Sequence, residues 1–163
     1  MNRPFVKDVL RIISSISLLP HRFRPHFLRW SGISIGSSCL IMPGLIVARR
    51  GRVSFGNNVY INYNCYFDAE SDIDIGDWVQ IANDVKLITS THIIGDECRR
   101  AGPAYGRSIK IGSGCWLGAD VKVLPGVEIG RGCIIAAGAV VINNCLDNGL
   151  YAGVPAVRKK ELN

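Results

Sequence analysis

The stretch "IGSGCWLGADVKVLPGVEIGRGCIIAAGAVV", residues 111–141, carries an aliphatic side chain at every sixth position: Ile111, Leu117, Val123, Ile129, Ile135 and Val141. A helix repeats at about 3.6 residues and a strand at 2, so neither accounts for a period of six. A solenoid of three short flat faces does. Each hexad contributes one inward residue and one face, and three hexads close an 18-residue coil.

The register extends backwards through Ile35 and Ile41, then Phe55, Ile61 and Phe67, then Ile75, Ile81 and Leu87. A longer signature opens each coil: "ISIGSS" at 33, "VSFGNN" at 53, "IDIGDW" at 73, "IKIGSG" at 109 and "VEIGRG" at 127. Ile35, Phe55 and Ile75 follow one another at 20 residues, two more than a plain coil, with a bulge expected at 48–52. Ile75 to Ile111 is 36 residues, one coil plus an 18-residue excursion. Gly36, Gly56, Asn62, Asp68, Gly76, Gly112, Gly118 and Gly130 follow the inward aliphatics and are read as corner residues that tolerate left-handed backbone. Cys39, Cys65, Cys115, Cys133 and Cys145 each lie four residues after an inward aliphatic, the slot that Val79, Val85, Val121 and Val127 fill elsewhere. They read as small core residues. No CxxC pair exists, so neither a zinc site nor a disulfide framework is favoured, and Cys98 reads as a loop thiol.

The 163 residues suit one domain. The formal charge of +6 is concentrated at one end: residues 1–30 hold Arg3, Lys7, Arg11, Arg22, Arg24 and Arg29 against Asp8, while the remainder carries 13 basic and 12 acidic side chains. A nucleic-acid partner is not expected from such a distribution. Residues 3–19 have a signal-like look, yet no small-residue cleavage site follows, so a cytoplasmic protein with a retained N-terminus is expected. The chain divides into a basic amphipathic helical segment (1–32), the solenoid (33–147, with a loop at 91–108) and a C-terminal tail (148–163). Val9, Ile12, Ile13 and Ile16 give the first segment an apolar side that packs on the domain or lies on an anionic membrane, the inner face of the cell membrane being the candidate surface.

The ladder fails once, in "TSTHIIGDECRRAGPAYGRS", residues 89–108. A rigid scaffold with one irregular polar loop is a common way to build a site. His92 stands where the chain leaves the coil, and the other histidines, His21 and His26, lie in the N-terminal segment. The hexad ladder, "STH" with the following Arg99-Arg100-Ala-Gly, the return "IKIGSGCWLGADVKVLPGVEIG" and the closing "LYAGVPAVRKK" together resemble the hexapeptide-repeat acyltransferases. The resemblance is especially to the galactoside and maltose O-acetyltransferases and their capsule- or lipopolysaccharide-modifying relatives. The likeness covers about 33–160 and implies an all-β, left-handed parallel β-helix that assembles as a homotrimer, with active sites in the clefts between neighbouring coils.

The resemblance further implies that acetyl-CoA is the acyl donor, that no metal takes part, and that a saccharide hydroxyl attacks the thioester directly. His92 matches the family's catalytic histidine, and a sugar hydroxyl needs such a base because imidazole can accept a proton at neutral pH. Asn62 of "INYN", Asp68, Glu70 and the outward Trp116 match acceptor-side positions. Gly118, Ala119, Ala137 and Gly138 match the path of the pantetheine arm, with backbone N–H groups near Gly118 and Ala119 as candidate oxyanion donors. Arg158 and Lys160 match the phosphate-holding basic residues, although Val157 and Ile142-Asn143 depart from the galactoside pattern. Each position has a plainer reading, as corner, core or solvated residue. Cell-envelope or capsular sugars are the expected acceptors, with an amino-sugar amine or a non-catalytic scaffold as alternatives. The zinc lyases of this fold need three converging histidines, and the coils offer only His92.

Overall fold

The computed structural model describes residues 3–48 and 51–163. The hexads fold as three parallel sheets wrapped around one core. Among the described residues the first and third faces have five parallel strands each, and the second has six with a seventh, antiparallel strand at its edge. On the first face Ile35, Phe55, Ile75, Ile111 and Ile129 stand in direct register. On the second, Ile41, Ile61, Ile81, Leu117, Ile135 and Tyr151 do so. Val47, Phe67, Leu87, Val123 and Val141 form the third column. All three columns are buried. Each such side chain contributes roughly 1.5–3 kcal/mol by leaving water, and stacking makes these increments contiguous.

Left-handed backbone occurs at the corners, but not at the residues expected to adopt it. Positive φ falls two positions later, at Ser38, Asn58, Asn64, Trp78, Gly114, Asp120 and Gly132. The glycines directly after the inward aliphatics are needed for space instead. A Cβ on Gly36 would lie 2.4 Å from the Gly56 carbonyl oxygen, and one on Gly118 would lie 2.5 Å from the Ala137 nitrogen. At the edge between the first and second faces, side chains satisfy backbone N–H groups across coils. Ser37 N–H donates to Asn57 Oδ1 (2.9 Å), Asn57 N–H to Asp77 Oδ1 (2.6 Å) and Asp77 N–H to Ser113 Oγ (3.1 Å).

Two helices, α1 (Arg3–Ser15) and α2 (Arg24–Trp30), cover the N-terminal end of the stack. Leu28 of α2 joins the core. Arg24 is buried, and its guanidinium donates to the carbonyls of Ser14, Ile16 and Leu19, tying the end of α1 to α2. α1 packs on the first coil, with the Gly44 N–H donating to the Ser15 carbonyl at 3.0 Å. Of its expected apolar side Val9, Ile12 and Ile16 are exposed and Ile13 is half-buried; Ser14 is buried, with Val6 and Leu10 half-buried beside it. Among the described residues no helix is long and apolar enough to cross a membrane.

The expected bulge at 48–52 lies partly outside the described residues. From 149 onward the chain keeps contributing to the second face. Gly149–Ala152 pairs parallel with Ile134–Ile135, and Val157–Glu161 returns antiparallel to it.

Candidate active site

Five of the candidate residues lie along one edge of the prism, between the second and third faces. Asn62, Gly118, Ala119, Ala137 and Gly138 share one corner in three coils, one to three residues after the inward Ile61, Leu117 and Ile135. The Gly138 N–H donates to the Ala119 carbonyl at 2.8 Å, and Gly118 sits directly against Ala137. Gly138 has a φ of +70°, and a Cβ there would meet nothing within 4 Å. The edge is therefore a narrow, open ridge on which a linear ligand can approach the backbone. Trp116, two residues before Gly118, projects from the second face and is 54% exposed.

Of the two oxyanion candidates, the Gly118 N–H is already spent on the Ile135 carbonyl (2.8 Å). That corrects the expectation for Gly118 and leaves the Ala119 N–H, which the coil-to-coil ladder does not use. Asn62 is not in left-handed backbone; Asn64 is. The Asn62 Oδ1 accepts from the next backbone N–H, Tyr63, at 2.9 Å.

Beside this edge the sequence concealed a charged trio. Lys86 and Lys122 are in register on the third face, with Asp120 between them at 3.4 and 2.9 Å. Hydrogen bonds from Lys122 and then Lys86 hold the Asp120 carboxyl below its ordinary range. The signal was present: both lysines sit one residue before an inward aliphatic, in the same column.

His92 stands apart. It lies on a two-stranded antiparallel hairpin, Ser90–Ile94 with Ala101–Gly106, rooted between the third and first faces. The imidazole is exposed, and its Nδ1 is 2.7 Å from the Gly102 carbonyl oxygen. A carbonyl can only accept, so the proton resides on Nδ1 and the Nε2 lone pair faces outward. That is the tautomer a general base requires. Within one chain, then, His92 and the Gly118–Gly138 ridge belong to different edges of the prism.

Asp68, expected on the acceptor side, is only 4% exposed, and its Oδ2 accepts from the Ser90 N–H at 2.8 Å. It faces the root of the hairpin, whereas Glu70 beside it is exposed. The Arg158 Nη2 donates to the Asp147 carbonyl at 3.0 Å and lies 3.8 Å from Glu161. Lys159 and Lys160 line an open depression of about 270 Å³ on the same strand. A second cleft, about 400 Å³, lies between α1 and the first coil, lined by Asp8, Arg11, Ile12, Ile46 and Val47. It contains none of the candidate residues. Among the described residues no three His, Cys, Asp or Glu side chains converge as a metal site.

Residues 108–143 match the family described as bacterial transferase hexapeptide (six repeats). A galactoside O-acetyltransferase of Lactococcus lactis is 35% identical over 130 residues, which span 79% of this chain and 63% of that protein. The chain thus spans less than two thirds of this curated relative. A galactoside acetyltransferase solved in complex with coenzyme A superposes with a TM-score of 0.88 at 28% identity, covering 99% of this chain and 81% of that one. A maltose O-acetyltransferase from Clostridium difficile 630 gives 0.78 at 29% identity, covering 99% and 86%.

Proposed function

Since this chain belongs to the hexapeptide-repeat transferase family, we propose that it is an acetyl-CoA-dependent O-acetyltransferase acting on a saccharide hydroxyl. The observation that carries this reading is the exposed His92 imidazole, with Nδ1 held on Gly102 and Nε2 turned outward. Bound acetyl-CoA supplies the thioester carbonyl. Nε2 takes the proton of the attacking hydroxyl as its oxygen bonds to the thioester carbonyl carbon; the C–S bond then breaks and the imidazolium returns that proton to the departing sulfur, base assistance of this kind typically accelerating a step by about 10²–10⁴. The Ala119 N–H, which the coil-to-coil ladder does not use, is the proposed donor to the oxyanion charge, a reading its free state supports.

The small residues of the ridge (Gly118, Ala119, Ala137 and Gly138) fit a pantetheine arm, because any larger side chain would stand in its path. Lys160 and Lys159 serve its phosphates, while Arg158 braces their strand through the Asp147 carbonyl. Asn62, Glu70 and Trp116 are the acceptor-side residues. The separation of His92 from the ridge supports a homotrimer in which the hairpin of one chain meets the ridge of the next. A cell-envelope or capsular sugar is the proposed acceptor class. The outward apolar side of α1, in a segment rich in basic residues, supports peripheral docking at the cytoplasmic face of a membrane.

The test is thiol release from acetyl-CoA with a panel of sugars, amino sugars and serine. A sugar hydroxyl is expected to support release, and His92→Ala to lose it without changing the oligomer. Turnover only with amino sugars would move the assignment to N-transfer. No release with any acceptor, or undiminished release in His92→Ala, defeats the proposal.

A further inference from the structure

In a plain coil the step from the third-face to the first-face inward residue is six positions, as from Val123 to Ile129; from Phe67 to Ile75 it is eight. The two additional residues widen the corner at 68–71, and both feet of the His92 hairpin stand in that widening. The Ser90 N–H donates to Asp68 Oδ2 (2.8 Å). The Ser71 N–H donates to Thr89 Oγ1 (3.1 Å), and Ser71 Oγ lies 2.9 Å from Ser108 Oγ. The Arg107 N–H closes the root onto the Thr89 carbonyl (2.9 Å). Gly106 fits only because it lacks a Cβ, which would lie 2.9 Å from the Cβ of Ser71.

The corner is held in an uncommon shape to do this. Ala69, wholly buried, has a φ of +43°, a conformation that L-residues seldom adopt and that the surroundings must impose. Thr89 and Asp68 are buried with it. Beyond the root the hairpin is mostly exposed, at His92, Ile93, Ile94 and Tyr105 among others. An isolated two-stranded hairpin is marginal in water. Its direction therefore depends on how its feet are fastened.

We propose that Asp68 is a positioning residue for the transfer reaction: its buried carboxylate fixes the take-off of the hairpin at Ser90 and so places the imidazole two residues further on. This rests on the reading of His92 as the base. Through Ser90 it acts on geometry alone and touches no reacting atom.

Two measurements on the full-length protein test it. In Asp68→Ala, amide hydrogen exchange at 90–94 is expected to rise while the coils at 109–141 keep their protection. The kcat is expected to fall on the order of 10- to 100-fold, the scale for a base displaced by about 1 Å, with the KM for acetyl-CoA nearly unchanged. Asp68→Asn retains an acceptor oxygen and is expected to restore most of both. Unchanged exchange and kcat in Asp68→Ala, or an Asp68→Asn variant as impaired as Asp68→Ala, overturns the proposal. Should Asp68→Ala fail to fold, Asp68→Asn decides alone: native-like exchange at 90–94 and kcat within a few-fold of wild type support it, and loss of either refutes it. Exchange reads the tether whatever group the protein transfers. Altered exchange in a protein that releases no thiol would fault the acetyltransferase reading and leave the tether standing.

Discussion

Glycines in equivalent-looking places do different work here, and substitution separates them. Gly118→Ala forces a Cβ to within 2.5 Å of the Ala137 nitrogen, so the coils must part. The expected loss is about 1–3 kcal/mol, as for overpacking elsewhere, measured by urea unfolding. Gly138→Ala meets open space and bears only the left-handed conformation, roughly 1–2 kcal/mol. Trp78 is the reverse case, a bulky residue at a φ of +60° and 64% exposed. Trp78→Asn is expected to hold or raise the unfolding midpoint, since asparagine tolerates that backbone; a clear loss would mean the indole makes a contact beyond this chain. The cysteines sort by burial in the same way. Burial pushes the Cys65, Cys115 and Cys145 thiols up to about 12, while Cys98 is exposed. At neutral pH a thiol reagent should modify Cys98 at once and these three only on unfolding.

At the level of elements, the N-terminal helices close the end of a stack whose first coil would otherwise expose its core. Arg24 is the pin. Buried and donating to the carbonyls of Ser14 in α1 and of Ile16 and Leu19 just past it, it cannot be removed without giving up all three bonds. Arg24→Ala is expected to cost about 2–4 kcal/mol and to expose α1 to limited proteolysis ahead of the coils. The same pin helps explain why α1 lies with Ser14 inward and Phe5 and Ile12 outward. The helix is oriented by what its C-terminal carbonyls and Arg11 bind, with Arg11 Nη1 reaching the Val47 carbonyl at 3.4 Å, more than by its apolar stripe.

For the whole molecule, the proposed division of the site between neighbouring chains has a direct test. A variant with the ridge blocked, Gly138→Trp, and a variant lacking the base, His92→Ala, should each be inactive as pure assemblies. Refolded together, they are expected to regain part of the thiol release, because some interfaces then pair an intact hairpin with an intact ridge. No recovery in a demonstrably mixed assembly would place the site within a single chain.

The solenoid itself was legible from residues alone, because a period of six fixes which side chain points inward at each step, and the buried columns follow that count from Ile35 to Val141. The cysteine slots and the outward Trp116 followed from the same register. Recognition of His92 came from its place at the single break in the ladder together with family resemblance. What the sequence could not express was anything that depends on a neighbouring coil or element. The glycines after each aliphatic make room for the coil above, Asp68 turns inward to the hairpin root, the Gly118 N–H is consumed by Ile135, and α1 lies with Ser14 buried while Val9 and Ile12 face outward. Periodicity records the direction of each side chain relative to its own strand; contacts between residues about a coil or more apart are set only when the coils stack.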